Sequence, residues 1–336
     1  MAWYHMAGPE SDVVISTRVR YARNINGYPF PVMLDAKGAR EIIDKASVVL
    51  SENGFSLTDF TDIPRAAAYS LVEKHYISPV FVRESLPHAL FLNEPCGLSV
   101  MVCEEDHFRI QCILPGLALS DACAGAGKVE RLLDHSFDLA FDERFGYLTQ
   151  SPANAGLAMR ASVMAFLPCT CLSGRSDPLF YALNQSGLTI RGLFGEKSAS
   201  QGFLFQISNQ TAACPNAEAV LSLLSEASER IMETERRCRE SFTGDVLIDL
   251  KDRIGRAEGI LRCAYKLTSE EFLSAWALVK LGLTMGIVNG STHEALTTLL
   301  VEMMPATLML SADPAPEDGT ALDILRARVM RDRLHF

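Results

Sequence analysis

No window of this chain holds the roughly 18 consecutive apolar residues of a membrane span, although 48% of its 336 residues are hydrophobic. The start, Met1-Ala2-Trp3-Tyr4-His5, lacks the basic-then-apolar order of a secretory leader. Cysteine occurs nine times, an odd number without framework spacing, so free thiols in a reducing cytoplasm are expected. Positive charge is scarce: 31 Lys and Arg against 41 Asp and Glu leave −10. That balance argues against general affinity for nucleic acid or acidic membranes and biases the chain towards a basic protein partner. Internal repeats and low-complexity tracts are missing as well. Two site motifs are begun without being completed. Gly125-Ala126-Gly127-Lys128-Val129 looks like part of a P-loop, yet Ala122 stands where the first glycine is needed and Val129 where Ser or Thr is. A helix interruption is expected there. Cys169-Thr170-Cys171 has no partner ligands, so no metal site built from protein side chains is expected.

What is present divides the chain in two. From about Asp12 to Gly202, short stretches rich in β-formers alternate with turns: His88–Asn93, Gly97–Cys103, His107–Leu114, Ala158–Leu167, Gly187–Leu193 and Gly202–Ser208. These read as strands of a mostly antiparallel sheet, interrupted by helical periodicity at Ala39–Asn53 and Leu119–Phe141. After Cys214-Pro215-Asn216 the pattern becomes helical, at Ala217–Ser241, Val246–Tyr265, Ser269–Met285, Thr292–Glu302 and Ala321–Leu334. Turn residues such as Asn289-Gly290-Ser291 separate these segments. The expected fold is α+β, with an antiparallel sheet flanked by helices over residues 1–243 and an all-α domain over 244–336. Met303-Met304 and Leu308-Met309-Leu310 read as core or interface.

Four separated pieces of the first domain carry candidate chemistry. In Ile15-Ser16-Thr17-Arg18-Val19-Arg20-Tyr21-Ala22-Arg23-Asn24, a strand would put Arg18 and Arg20 on one face. Paired guanidinium forks suit a polyphosphate, and a solvated basic edge is the alternative. Cys103-Glu104-Glu105-Asp106-His107-Phe108-Arg109 is either a solvated acidic turn or a carboxylate placed to orient or deprotonate a cationic nucleophile. His107 is expected to pack or hydrogen-bond locally. The third piece runs Tyr147-Leu148-Thr149-Gln150-Ser151-Pro152-Ala153-Asn154-Ala155-Gly156-Leu157-Ala158-Met159-Arg160. The fourth, Ile190-Arg191-Gly192-Leu193-Phe194-Gly195-Glu196-Lys197-Ser198, is a glycine-bearing loop with one arginine and one acid, or an ordinary hairpin loop.

In this order the pieces resemble the catalytic domain of the phosphagen (ATP:guanidino) kinases, and more closely its bacterial protein-arginine kinase branch. The family's Cys-Pro-Thr/Ser-Asn-x-Gly-Thr-Gly-x-Arg is similar to Ser151–Arg160, with Ser151 for the cysteine, Ala153 for Thr/Ser, and Gly156-Leu157-Ala158 for Gly-Thr-Gly. The branch's Ser-Arg-x-Arg-x-Ala-Arg-Asn has Thr17 for its serine, and its Asn-Glu-Glu-Asp-His turn has Cys103 for the asparagine. Its Leu-Arg-Ala-Ser-Val-Met strand has Met159 for the leucine, and its Arg-Gly-x-x-Gly-Glu and Gln-Ile-Ser-Asn-Gln runs are matched at Arg191–Glu196 and Gln206–Gln210. The likeness continues through Asp252-Arg253-Ile254 and Gly259-Ile260-Leu261.

The resemblance implies a nucleotide site at Ser16, Arg18, Arg20, Arg109, Arg160 and Arg191, with ATP and Mg²⁺ as cofactors. It implies that Glu105, beside Glu104, takes the proton of the accepting guanidinium, and that Glu196 grips the same group. Ser151 stands where a thiolate would add negative charge, which implies slower turnover. The family's small-molecule kinases carry a helical domain ahead of the catalytic one. Here the first phosphate motif begins at Ser16, so an arginine displayed on a protein is the expected substrate. The helical domain resembles the branch's dimerisation and regulatory domain. Its Arg-Asp-x-x-Arg-Ala phosphoarginine motif is similar to Leu322-Asp323-Ile324-Leu325-Arg326-Ala327, with Leu322 for the first arginine. An activator protein, a Clp-type protease system, a role in protein quality control and a homodimer are implied likewise. A second reading is an ATP-binding pseudokinase that recognises arginine or phosphoarginine on proteins. Ser151 and Leu157–Met159 favour it; the acids and five arginines favour the kinase.

Overall fold

The computed structural model describes residues 1–192, 201–210 and 216–334. Its frame is an eight-stranded sheet in which every neighbouring pair is antiparallel. In chain order the strands are β1 (Val14–Arg23), β2 (Ser56–Asp59), β3 (Ala89–Asn93), β4 (Leu98–Val102), β5 (Phe108–Pro115), β8 (Met159–Phe166), β9 (Leu188–Gly192) and β10 (Leu204–Asn209). They lie side by side as β2-β3-β4-β5-β1-β8-β10-β9, so β1 is central. A small hairpin, β6 (Phe141–Asp142) with β7 (Gly146–Tyr147), stands apart.

Alternation along β1 sets the two faces. Val19 and Tyr21 point into the core, while Arg18 and Arg20 are only partly covered on the other side. The core face carries α1 (Ala36–Ser51), α3 (Leu119–Ser136) and α6 (Ala217–Glu240), whose Ile42, Leu133 and Leu224 meet Val19, Ala161 and Ile207 in one cluster. Caps fix where these helices begin: Asp35 accepts from Gly38 N at 2.7 Å, and Asn216 from Ala219 N at 2.8 Å.

The arginine-bearing face is closed at one end by a second core. There α7 (Gly244–Cys263), α8 (Ser269–Thr284), α9 (His293–Glu302), α10 (Pro305–Leu310) and α11 (Gly319–Arg333) gather round Trp276. Ile113, Phe166 and Leu204 of the sheet join that core, as does Trp3 near the chain start. Trp276 meets Phe166 edge to face at 5.6 Å and donates its indole N–H to Leu296 O at 2.7 Å, so the tryptophan is buried without an orphaned donor. A capping box between Thr268 and Glu271 starts α8.

The structure departs from the sequence reading in several places. Gly125 does not interrupt a helix: α3 runs unbroken through it, because a Cβ there would meet Cys112 Sγ at 2.9 Å and glycine lets the helix lie close on β5. That helix ends at Ser136, not Phe141, where Phe137 turns extended into the core. Four further helices or turns of helix were not foreseen: α2 (Arg65–Glu73), α4 (Pro168–Leu172), α5 (Ser176–Gln185) and α10. Met303, Met304 and Leu308 are core as expected, but Leu310 is exposed.

Candidate active site

Register brings the arginines together. Arg20 on β1 sits directly opposite Arg160 on β8, and Ala22 opposite Arg109 on β5. Two rows further along the same face, Ser16, Met164, Gln206 and Arg191 line up across β1, β8, β10 and β9. With about 3.3 Å per strand residue, Ser16 and Ala22 are roughly 20 Å apart. The face is therefore a long track with Arg109 at one end, Ser16 at the other, and arginines between.

Two cavities meet on this track. One, of about 610 Å³, is lined by Ser16, Arg18, Arg20, Arg160 and Arg191 and runs towards the helical domain. The other, of about 520 Å³, shares Arg20, Arg160 and Arg191 and adds Arg109, Glu105 and Asn154. The arginines crowd one another. Burial, then the charges of Arg160 and Arg109, pull Arg18 down to about 10, and Arg20 is driven well below its ordinary value by burial and then by Arg18, Arg109 and Arg160. Arg160 is lowered by burial, then by Arg191 and Arg109. A guanidinium keeps its proton at working pH, so an anion is what relieves such crowding. Arg160 donates to Ser208 Oγ at 2.9 Å, yet its buried Nε has no partner among the described residues.

The acidic turn stands at the Arg109 end. Its three acids have separate tasks. Glu104 is buried, takes the hydroxyl of Ser78 and pairs with Arg109. Asp106, fully buried, accepts from Asn24 Nδ2 at 2.7 Å and from Gln150 N at 2.9 Å. Glu105 is the accessible one: its side chain is 36% exposed, it pairs with Arg109 at 2.7 Å, and it borders both the 520 Å³ cavity and a third of about 700 Å³. His107 packs locally, as expected. Its Nδ1 accepts from Ile25 N at 3.0 Å and its Nε2 donates to Pro29 O at 2.9 Å, while burial lowers it to about 4.

The loop carrying Ser151 is tied down by backbone and by its neighbours. Tyr147 and Gly156 exchange hydrogen bonds at 2.8 and 3.1 Å, and a Cβ on Gly146 would meet the Gly156 backbone at 2.6 Å. Asn24 Nδ2 reaches Leu148 O at 3.0 Å, and Thr149 Oγ1 donates to Ser151 O at 2.8 Å. Arg23, buried, pairs with Glu130 and lies over the Tyr147 ring at 3.5 Å. The Arg23-Asn24 pair thus holds the loop, whereas Arg18 and Arg20 face the cavity. Ala158 takes the left-handed φ of +47°, a conformation natural to the glycine of the family motif.

Of the sequence candidates, Ser16, Arg18, Arg20, Arg109, Arg160, Arg191 and Glu105 line connected cavities. Glu104 borders the 700 Å³ cavity but is almost fully buried beneath Arg109, and Glu196 lies outside the described residues. Ser151 lies between Gln150, on the 700 Å³ cavity, and Ala153-Asn154, on the 520 Å³ one. The sequence reading missed His75, Met164 and Gln206, which line the 610 Å³ cavity. His75 is held at φ +62° and lowered to about 4, by burial first and then by Arg18. Nothing local in Glu73-Lys74-His75-Tyr76 announces it. Arg326 is buried and donates to Met303 O, Leu267 O and Asp323 at 2.7–2.9 Å.

Comparison with known proteins gives this geometry a family. The ATP:guanido phosphotransferase C-terminal catalytic domain matches residues 39–238, and the protein-arginine kinase McsB C-terminal domain matches residues 247–336. The protein-arginine kinase of Syntrophomonas wolfei is 38% identical over 99% of this chain and 95% of its own, and that of Symbiobacterium thermophilum is 36% identical over 97% and 96%. Among solved structures, the substrate-free duplicated taurocyamine kinase of Schistosoma mansoni superposes with a TM-score of 0.60 at 21% identity, over 77% of this chain and 40% of that one. Lombricine kinase does so at 0.59 and 20%, over 71% and 70%. These two likenesses concern the fold. Matched along nearly its whole length, the chain belongs to the ATP:guanido phosphotransferase family, in its protein-arginine kinase branch.

Proposed function

We propose that this protein transfers the γ-phosphoryl group of ATP to arginine side chains of proteins. The observation that carries the reading is the track itself: three arginines shared by two cavities, one of which ends on an accessible glutamate. The phosphates lie along Arg18, Arg20, Arg160, Arg191 and Arg109. The accepting guanidinium enters from the 700 Å³ cavity, where Glu84, Glu104 and Glu105 supply negative charge and Val32, 70% exposed, supplies an apolar rim. A guanidinium is a poor nucleophile because its lone pairs are delocalised. Glu105 fixes its plane and takes a proton as the nitrogen attacks phosphorus, while the bond from the γ-phosphorus to the bridging oxygen breaks and ADP leaves. Glu196 grips the same guanidinium by family likeness. Arg109, held by Glu104, is aimed at the charge that grows on the transferring group.

No three His, Cys, Asp or Glu side chains gather as a metal cage among the described residues. Mg²⁺ fits as an ion carried on the phosphates, where it would neutralise charge. The division at 243/244, the cytoplasm as location, a homodimer, and an activator and Clp-type protease in a quality-control pathway belong to the same proposal.

Ser151 is the reason to expect slow turnover, since a hydroxyl stays neutral where a thiolate would face a cation. With MgATP and an arginine-rich protein, acid-labile phosphate on arginine is expected by mass spectrometry, and Ser151→Cys should raise it without changing ATP affinity. Nucleotide binding with no phosphoarginine in either protein favours the second reading, a pseudokinase that recognises arginine-bearing proteins. The left-handed Ala158 is the feature on its side.

A further inference from the structure

The 610 Å³ cavity does not stop at the arginines. Past Ser16 and Met164 it continues to an apolar end made by Val72, Leu300, Val301 and Met304. Val72 lies on α2, but Leu300 and Val301 belong to α9 and Met304 caps α10, so these three come from the helical domain. If phosphates occupy the shared arginines and the acceptor sits by Glu105, the nucleoside must extend the other way along the track. There a flat, weakly polar base meets apolar walls.

We propose that the C-terminal helical domain forms one wall of the nucleoside pocket, and that Glu73 is the positioning residue that holds this wall in place. The inference rests on the reading that the arginines hold nucleotide phosphates. Glu73 ends α2 and reaches into the other domain: its carboxylate accepts from Ala306 N at 2.9 Å, Thr307 N at 2.7 Å and Thr307 Oγ1 at 2.8 Å. Beside it, the hydroxyls of Ser70 and Thr307 are hydrogen-bonded at 3.1 Å. Charge-assisted bonds to two backbone N–H groups fix α10 relative to α2 in both position and direction. Immediately beyond, His75 lines the same cavity and its carbonyl takes Gln111 Nε2 at 2.7 Å, while Ser78 donates to Glu104. One short stretch, residues 73–78, thus touches the helical domain, the nucleoside end of the track and the acid that grips Arg109. Displacing the helical domain removes the wall and loosens that stretch.

The proposal separates two parts of one ligand, and the test does the same. Calorimetry on the full chain would compare MgADP with inorganic tripolyphosphate, which has the phosphates and no base. Met304→Ala should weaken MgADP roughly tenfold and leave tripolyphosphate within about twofold. Glu73→Gln should move the ratio the same way by a smaller factor, because the amide oxygen still accepts a bond but the charge is gone. Val301→Thr keeps the volume and changes only polarity, and it carries the test should Met304→Ala fail to fold by circular dichroism. An unchanged ratio of the two affinities in all folded variants overturns the proposal. An unaltered chain that binds MgADP but not tripolyphosphate overturns the arginine phosphate site itself, and the inference with it.

Discussion

Two clusters of arginine in this molecule have opposite fates. At the junction of α6 with the chain start, Arg236 bonds Asp12 at 2.7 and 3.1 Å and also Glu10, and Arg239 reaches Asp12 at 3.2 Å. Those hydrogen bonds raise Arg236 above its ordinary value. On the central sheet, no carboxylate among the described residues forms an ion pair with Arg18, Arg20 or Arg160; burial and then neighbouring arginines depress all three, with Glu104 opposing at Arg20. The first cluster is a joint whose counterions come from the chain. The second has charge crowded against charge, and the proposed function gives it the phosphates of a nucleotide as counterion. Arginine content alone says nothing about which is which; the strand register does.

The largest effect should come from breaking the chemistry beside the open cluster. Glu105→Gln keeps shape and removes charge, so transfer should fall by about two to four powers of ten, with MgADP affinity nearly unchanged. A rate equal to wild type would move the proton acceptor elsewhere in the turn. Next, the two clusters should answer alanine with opposite signs. Arg160→Ala should weaken MgADP by roughly one to two powers of ten while stabilising the empty protein, because a crowded charge is gone. Arg236→Ala should leave MgADP alone and cost about 1 kcal/mol or less in a urea melt, since the pair is partly exposed.

Lys280 is buried beside the closed cluster, donates to Ser11 O at 2.8 Å and lies 3.1 Å from His293 Nδ1. Burial lowers it to about 7, with Asp12 opposing and Arg239 reinforcing. Between about pH 7 and the unfolded value near 10.4, the unfolded chain binds a proton that the folded chain does not. Stability should therefore rise with pH across that window, by at most about 1.4 kcal/mol per unit. Lys280→Met should flatten the slope in urea melts at pH 7, 8 and 9. The smallest effect sharpens the contrast at backbone level. Ala158→Gly relieves a left-handed residue, so thermal unfolding should report a gain of about 0.5–1 kcal/mol.

Much of this was legible in the sequence where a side-chain pattern repeats. The alternation in Arg18-Val19-Arg20-Tyr21 placed both arginines on one face of a strand without marking that strand as the centre of the sheet, and the 3.6-residue period gave α6 to α9 within a residue or two at most ends. Elements whose reasons lie elsewhere were not legible. α2 and α5 are short, and α5 carries Pro178 near its start. β2 has no buried side, so no alternation marks it. Gly125 reads as a break until Cys112 is seen beneath it. At the site, the arginines and Glu105 were found through motif likeness. The division of work among Glu104, Glu105 and Asp106 depends on Ser78, Arg109 and Gln150, which are up to 44 residues away in sequence.

The pinning of the Ser151 loop has one more consequence. Its shape is set by the Tyr147–Gly156 bridge, by Asp106 beneath Gln150 and by Asn24 beneath Leu148, and none of these bonds uses the side chain at 151. The position behaves as a socket: the mount is fixed and the fitting is interchangeable. Nucleophilic, neutral or acidic groups can be tried there without refolding the loop. If the proposed transfer runs past this position, a change in its rate on single substitution there reports the side chain and not a moved loop.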